Sequence, residues 1–257
     1  MSHVFVLPFA LAVVLYLGAV LSNRKHGRRR WPSLRTVSWV SGVGVAAAAF
    51  LGPLADAARR ELPTHMMAHL LIGMVAPLLL VLAAPVTLAL RTLPVVPARR
   101  LARLLRSVPV SIMMHPVITA VASGGSLWLV YGTPAFDDLL HLPLIHELVL
   151  VHFLFVGYLF TASIVGIDPS PHPTSFRLRA VVLVAVLAAH SILAKVVFAT
   201  PRPGVPGAEV ETAGLLMYYG GDLVSLAFIV VFCAQWSRAS RRTAARAVPV
   251  PSRFGIS

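Results

Sequence analysis

The chain has almost no cysteine. Among its 257 residues there is one, Cys233, so no disulfide can close within the chain. No CxxC pair exists to hold a metal or carry redox chemistry. Charge is also scarce: Asp, Glu, Lys and Arg make up 12% of the residues, against 58% that are hydrophobic. A water-soluble domain of this length needs far more polar surface, so the composition excludes that class. The short alternating segments of a transmembrane barrel are missing too, which leaves helices as the spanning element. No internal repeat, soluble domain or long linker divides the sequence.

Long apolar runs are what the chain has instead. Runs of about 20 residues match a hydrocarbon core roughly 30 Å thick. Spans are expected near 4–22, 37–55, 64–90, 113–131, 143–165, 178–199 and 213–236, about seven in all. The fold class is therefore an all-α polytopic membrane bundle, one domain over 1–236 with a disordered basic tail over 237–257. Pro77 and Pro85 should kink the third span. Small residues such as Gly42, Gly124 and Gly220 read as close-packing points between helices.

The formal net charge of +13 is distributed by loop. Arg24, Lys25, Arg28, Arg29, Arg30 and Arg35 follow the first span, and Arg91, Arg99, Arg100, Arg103 and Arg106 follow the third. Arg177 and Arg179 follow the fifth, and Arg238, Arg241, Arg242, Arg246 and Arg253 fill the tail. The alternate loops carry Asp56, Glu61, Asp137, Asp138, Glu209 and Glu211 against only Arg59, Arg60 and Arg202. By the positive-inside rule the N-terminus is outside and the C-terminus cytoplasmic. The basic loops read as topology signals and lipid headgroup contacts, not as a nucleic-acid surface. The segment from Arg99 to Arg106 reads as a short helix lying on the membrane surface. The first span has no basic residue before it and many after it, so it reads as a retained helix, not a cleaved leader.

Ionisable residues inside the spans collect on one side. Such groups are costly in hydrocarbon and mark function by default. His65 and His69 stand at i and i+4 at the outer mouth of the third span, so both imidazoles share a helix face. That spacing suits two ligands on one metal. Met66 could add a thioether, which favours Cu(I). His141, His146, Glu147 and His152 run from the outer loop into the fifth span. The HELVLVH segment fails as an HExxH zinc-protease motif, because its histidines are six apart and point to different faces. His190 and Asp222 reach a depth close to that of His152 in the sixth and seventh spans. Asp222 would orient a histidine or balance charge, with Tyr218 and Ser225 on its helix face. Lys195 can snorkel outward. His3, His26, His115 and His172, at ends or in loops, read as structural or solvated.

The segments HMMAHLLIGMVAPLLLVLAAPVTLALRTLP, WLVYGTPAFDDLLHLPLIHELVLVHFLFVGYLF, IVGIDPSP and GLLMYYGGDLVSL resemble the multi-pass CtaG-type cytochrome c oxidase assembly proteins over about residues 60–236. These differ from the single-span copper chaperone of proteobacteria that shares the name. The resemblance implies a role in haem-copper oxidase maturation in a bacterial cell membrane, with copper passed to the catalytic subunit as partner. It carries over to His65, His69, His146, His152, His190 and Asp222. Thr161-Ala162-Ser163 departs from it, being less aromatic.

The expected function is thus a non-enzymatic assembly factor that binds copper at an outward-facing site. The expected ligands are His65, His69, His152 and His190, with Met66, His146, Glu147 and Asp222 around them. Imidazole alone would also suit zinc or iron. The rivals are a haem-handling protein using paired axial histidines, a copper permease, and a metal-free scaffold.

Overall fold

The computed structural model describes residues 3–25, 29–133, 142–169 and 174–247, and every regular element among them is helical. Helices α1 (His3–Lys25) and α2 (Ser33–Phe50) are followed by α3 (Gly52–Ala58) and α4 (Leu62–Leu70). A π-turn over Leu71–Val75 joins α4 to α5 (Ala76–Leu82), and α6 (Pro85–Thr92) continues that line. Then come α7 (Val95–Leu105), α8 (Val108–Met113) and α9 (Pro116–Tyr131). Three long helices complete the bundle: α10 (Pro143–Val165), α11 (Phe176–Ala199) and α12 (Gly207–Ala247).

Among the described residues, five helical stretches are long and apolar enough to cross a membrane. They are Phe5–Lys25, Leu62–Thr92, Leu144–Val165, Phe176–Ala199 and Gly207–Arg241. The pair α2 and α3, bent by 47°, makes a sixth if taken together. The expected fourth span is α9, which at 16 residues is shorter than the others. The protein is a multi-pass helical membrane protein.

The third span is broken where its prolines stand. Pro77 has no N–H to give the carbonyl four residues back, that of Gly73, and its ring would crowd that oxygen. The backbone answers with the wider i→i+5 turn over Leu71–Val75. The freed Gly73 carbonyl lies against Gly157 of α10, where a Cβ would run into it and would sit 3.1 Å from Pro77 Cγ. Ahead of Pro85 the helix stops, with Ala84 in the left-handed region at φ 52. Asp168, from the turn after α10, caps the restart. Its carboxylate accepts from the Val86 N–H at 3.2 Å, the Thr87 N–H at 2.7 Å and the Thr87 hydroxyl at 2.6 Å.

That turn needs Gly166, whose φ is +58 and whose missing side chain leaves room for the Arg179 guanidinium, 2.9 Å from where a Cβ would lie. Arg179 donates to the Ile164 carbonyl at 3.1 Å, closing the end of α10. On α7 no residue is buried, and Arg99, Arg100 and Arg103 alternate with Leu101, Leu104 and Leu105. This agrees with the surface helix expected there. Helix α12 runs on to Ala247, so residues 237–247, expected to be a disordered tail, are helical. The segment is rich in Ala and Arg, two strong helix formers.

The core falls into three apolar clusters among the described residues. The part that frames the site holds Met66, Ile72, Leu127, Phe153, Leu193 and Met217, from α4, the π-turn, α9, α10, α11 and α12. A second part lies toward the basic end, around Phe160, Ile164, Phe228 and Phe232.

Candidate metal site

Three helices, α4, α10 and α11, bring imidazoles together at the end of the bundle where α4, α10 and α12 begin and α9 and α11 finish. His65 and His69 lie one turn apart on α4, as i and i+4 spacing requires. Each meets a histidine from another helix. The His65 and His146 rings meet edge to face with centres 5.3 Å apart. The His69 and His190 rings lie 6.4 Å apart at 17°. Between the pairs stands Tyr131 at the end of α9, its ring 5.7 Å from that of His65 and 5.3 Å from that of His69.

The two pairs differ in hydrogen bonding. His65 Nε2 and the Tyr131 hydroxyl are 2.8 Å apart, and the backbone of Ala58 is a second hydrogen-bonding neighbour of the His65 ring. Both nitrogens of His69 and Nε2 of His190 are buried with no hydrogen-bond partner. His69 is 3% exposed and His190 7%, so solvent does not satisfy them. A buried polar atom without a partner costs about 1–3 kcal/mol, which a fold keeps only where the atom has another use. A neutral imidazole nitrogen with a free lone pair is a metal ligand.

Glycines shape the surroundings of both rings. A Cβ on Gly221 of α12 would sit 2.5 Å from His190 Cε1, so this ring lies where only glycine leaves space. One on Gly73 would sit 3.3 Å from His69 Cε1. The Trp128 indole donates to the Ala189 carbonyl at 3.2 Å and ties α9 to α11 beside His190. Arg202 donates to the Tyr131 carbonyl at 3.2 Å and fixes the end of α9. A small cavity of about 50 Å³ lies beside the imidazole pair, bounded by His69, His190, Met74, Ser123, Trp128 and Phe160 among others.

The other expected residues are placed differently. His152 is exposed and turned away from the pairs, with its ring 6.0 Å from that of Phe153. At about 100° per residue, six residues from His146 lead to another face of α10, whereas Phe153 returns to the buried one. Glu147 pairs with Arg59 at 3.8 Å. Met66 is fully buried in the apolar core and does not line the cavity. Asp222 is exposed and accepts from the Ser191 hydroxyl at 3.3 Å, beside His190 in sequence, and not from Tyr218 or Ser225. Lys195 stands over the Tyr218 ring at 5.3 Å. His115 caps α9, its Nδ1 accepting from the Val117 N–H at 3.3 Å. His141 lies outside the described residues. Among the described residues, no three His, Cys, Asp or Glu side chains converge as a metal-binding group.

Sequence reasoning missed Tyr131, Met74 and Gly221. Tyr131 had a signal, since a tyrosine at the end of a span can bring a hydroxyl to the depth of His65. Met74 had none, because α-helical spacing turns it away from His69 and the π-turn changes that register.

The family described as cytochrome c oxidase caa3 assembly factor matches this chain over residues 14–239. The chain belongs to that family. It is also similar to uncharacterised mycobacterial proteins: 31% identical over 260 residues to one from Mycobacterium leprae, and 32% to one from Mycobacterium bovis and one from Mycobacterium tuberculosis. Each comparison covers 92% of this chain but only 40% of the M. leprae protein and 39% of the other two, so the chain spans about two fifths of those relatives. No solved structure matches it. The caa3 assembly factor family and the apolar helices together place the protein in the bacterial cell membrane as a multi-pass member.

Proposed function

We propose that this caa3 assembly factor binds copper as cargo between His69 and His190 and holds it for the catalytic subunit of a haem-copper oxidase. The observation that carries the reading is the set of partnerless, buried nitrogens on these two rings. Metal–nitrogen bonds of roughly 2 Å put two imidazoles bridged by one ion at about 6 Å between ring centres, and these centres are 6.4 Å apart. Structural zinc takes four ligands, and no group of three His, Cys, Asp or Glu converges here among the described residues. A low-coordinate, soft ion fits better, and Cu(I) is that ion.

The roles then separate. His69 and His190 are ligands. His65, Tyr131 and His146 form the rim, with Tyr131 holding His65 in orientation. Asp222, bonded to Ser191 next to His190, supplies a nearby negative charge for the cation. Without cysteine the site exchanges its ion, which suits delivery better than storage. The charge asymmetry of the loops supports seven spans, with the N-terminus and the imidazole end outside and α7 on the cytoplasmic face among anionic lipids. The protein performs no reaction of its own. The cavity is also lined by the apolar Phe160, Phe228 and Leu187, which offer an ion no onward ligands and favour one held over one conducted through.

The test is copper content and visible absorbance of detergent-purified protein after anaerobic Cu(I) loading, with a His69→Ala/His190→Ala double variant alongside. Stoichiometric copper lost in the variant is the expected result. A Soret band would replace copper with haem, and no metal in either sample would leave an assembly scaffold whose histidines contact the oxidase.

A further inference from the structure

We infer that Met74 supplies a thioether as the third ligand of the His69–His190 site, making it selective for Cu(I) over divalent ions. The inference rests on the copper reading above and specifies the oxidation state and donor set of that site. Met74 lines the same cavity wall as His69, Gly73 and His190.

The backbone explains why it can. In continuous α-helix, positions five apart lie about 140° apart around the axis and do not share a face. The π-turn Leu71–Val75 begins two residues after His69 and contains Met74, and its i→i+5 pitch rotates less per residue, which swings Met74 back toward the His69 side. Single π-turns inside α-helices concentrate at functional sites. Here the turn is secured from both ends, by Pro77 inside the third span and by Gly157 opposite it.

The other thioethers nearby are committed elsewhere. Met66 and Met217 are both fully buried in apolar packing with Ala194, Val197 and Ala213. Met74 is half-buried on the cavity side and free to move its flexible side chain toward an ion. Two neutral imidazoles and a thioether form a soft, uncharged donor set. Such a set holds Cu(I) and gives Zn(II) or Mg(II) neither the ligand number nor the anionic charge they require.

The experiment is copper X-ray absorption on the full chain in detergent, loaded anaerobically with Cu(I), together with titration against a competing Cu(I) chelator. Wild type, Met74→Leu and Met66→Leu are compared; leucine keeps the volume and apolar character of methionine. The expected result is a sulfur scatterer in wild type and Met66→Leu, lost in Met74→Leu, with about tenfold weaker Cu(I) binding in that variant. Bound copper with nitrogen scatterers alone in wild type overturns the Met74 assignment and leaves the His69–His190 site standing. A sulfur signal that survives Met74→Leu or disappears with Met66→Leu also overturns it. Wild type that takes up no copper overturns both this assignment and the copper reading. The wild-type spectrum decides the sulfur question by itself, even if a variant folds poorly.

Discussion

His69 and His190 approach with ring centres 6.4 Å apart, yet none of the three buried nitrogens identified on them has a hydrogen-bond partner. One turn away, His65 and His146 stand closer, at 5.3 Å, and His65 is bonded to Tyr131. The two pairs are built from the same α4 spacing, with His65 half-buried and the other three rings buried. Hydrogen bonding separates them: the rim pair is internally supported, while the inner pair is left with donor atoms to give.

The first prediction follows from that contrast and from the orientation of His152. His69→Ala and His190→Ala should each lower Cu(I) affinity at least about tenfold, since each removes a ligand worth roughly 1.4 kcal/mol or more. His152→Ala should leave copper content at the wild-type level, because that ring points out of the bundle. Chelator competition on the three purified variants checks this. Copper lost from the His152 variant alone would contradict the assignment of ligands.

Gly221 gives a test that leaves every ligand in place. A methyl group there would lie 2.5 Å from His190 Cε1 and 2.9 Å from its Nδ1, so the ring must leave its present position opposite His69. Gly221→Ala should weaken copper binding to an extent comparable with His190→Ala, with an overpacking cost of about 1–3 kcal/mol. Gly73→Ala meets His69 at 3.3 Å and should have a smaller effect. Copper titration and thermal unfolding in detergent, run on both variants, give the ranking.

The sequence made some of this legible and hid the rest for physical reasons. The His65 and His69 pairing follows from helix spacing alone, and His190 was reachable through its depth. The choice between His146 and His152 was not reachable. Helix α10 is apolar nearly all round, so its pattern does not say which face turns inward. Packing decides it, burying His146, Leu150, Phe153 and Phe160 together. The π-turn was hidden too. Pro77 announced a kink but not that the backbone would absorb it by widening a turn upstream. The partnership of Asp168 with Thr87 spans 81 positions, and nothing local in either segment announces it.

Asp168 belongs to the architecture at the opposite end from the imidazoles. Its carboxylate satisfies two backbone N–H groups and one hydroxyl where the third span restarts at Pro85. Asp168→Ala should cost about 1–2 kcal/mol of stability by removing this cap. Asp168→Asn, which keeps an acceptor oxygen, should cost less. Copper binding should be unchanged in both. A lower unfolding temperature with intact metal stoichiometry is the expected result, and loss of copper would mean the two ends of the bundle are coupled.

Gly157, inside α10, makes the opposite prediction. It stands on α10 against the Gly73 carbonyl, which Pro77 denies its i→i+4 donor, and a Cβ there would collide with Gly73 O and touch Pro77 Cγ at 3.1 Å. The collision involves backbone, which cannot rotate aside as a side chain does. Gly157→Ala must therefore push α10 away from the π-turn or straighten that turn. Either response moves His69, just before Leu71–Val75, and Met74, within it, relative to His190 on α11. The variant should lose about 1–3 kcal/mol of stability and also lose copper affinity, although Gly157 lies outside the ligand set. A double variant that also carries Pro77→Ala restores a donor to the Gly73 carbonyl, lets the helix close over it, and should recover stability. It should not recover copper, because α-helical register turns Met74 away. Recovery of both would show that the π-turn is dispensable for the site.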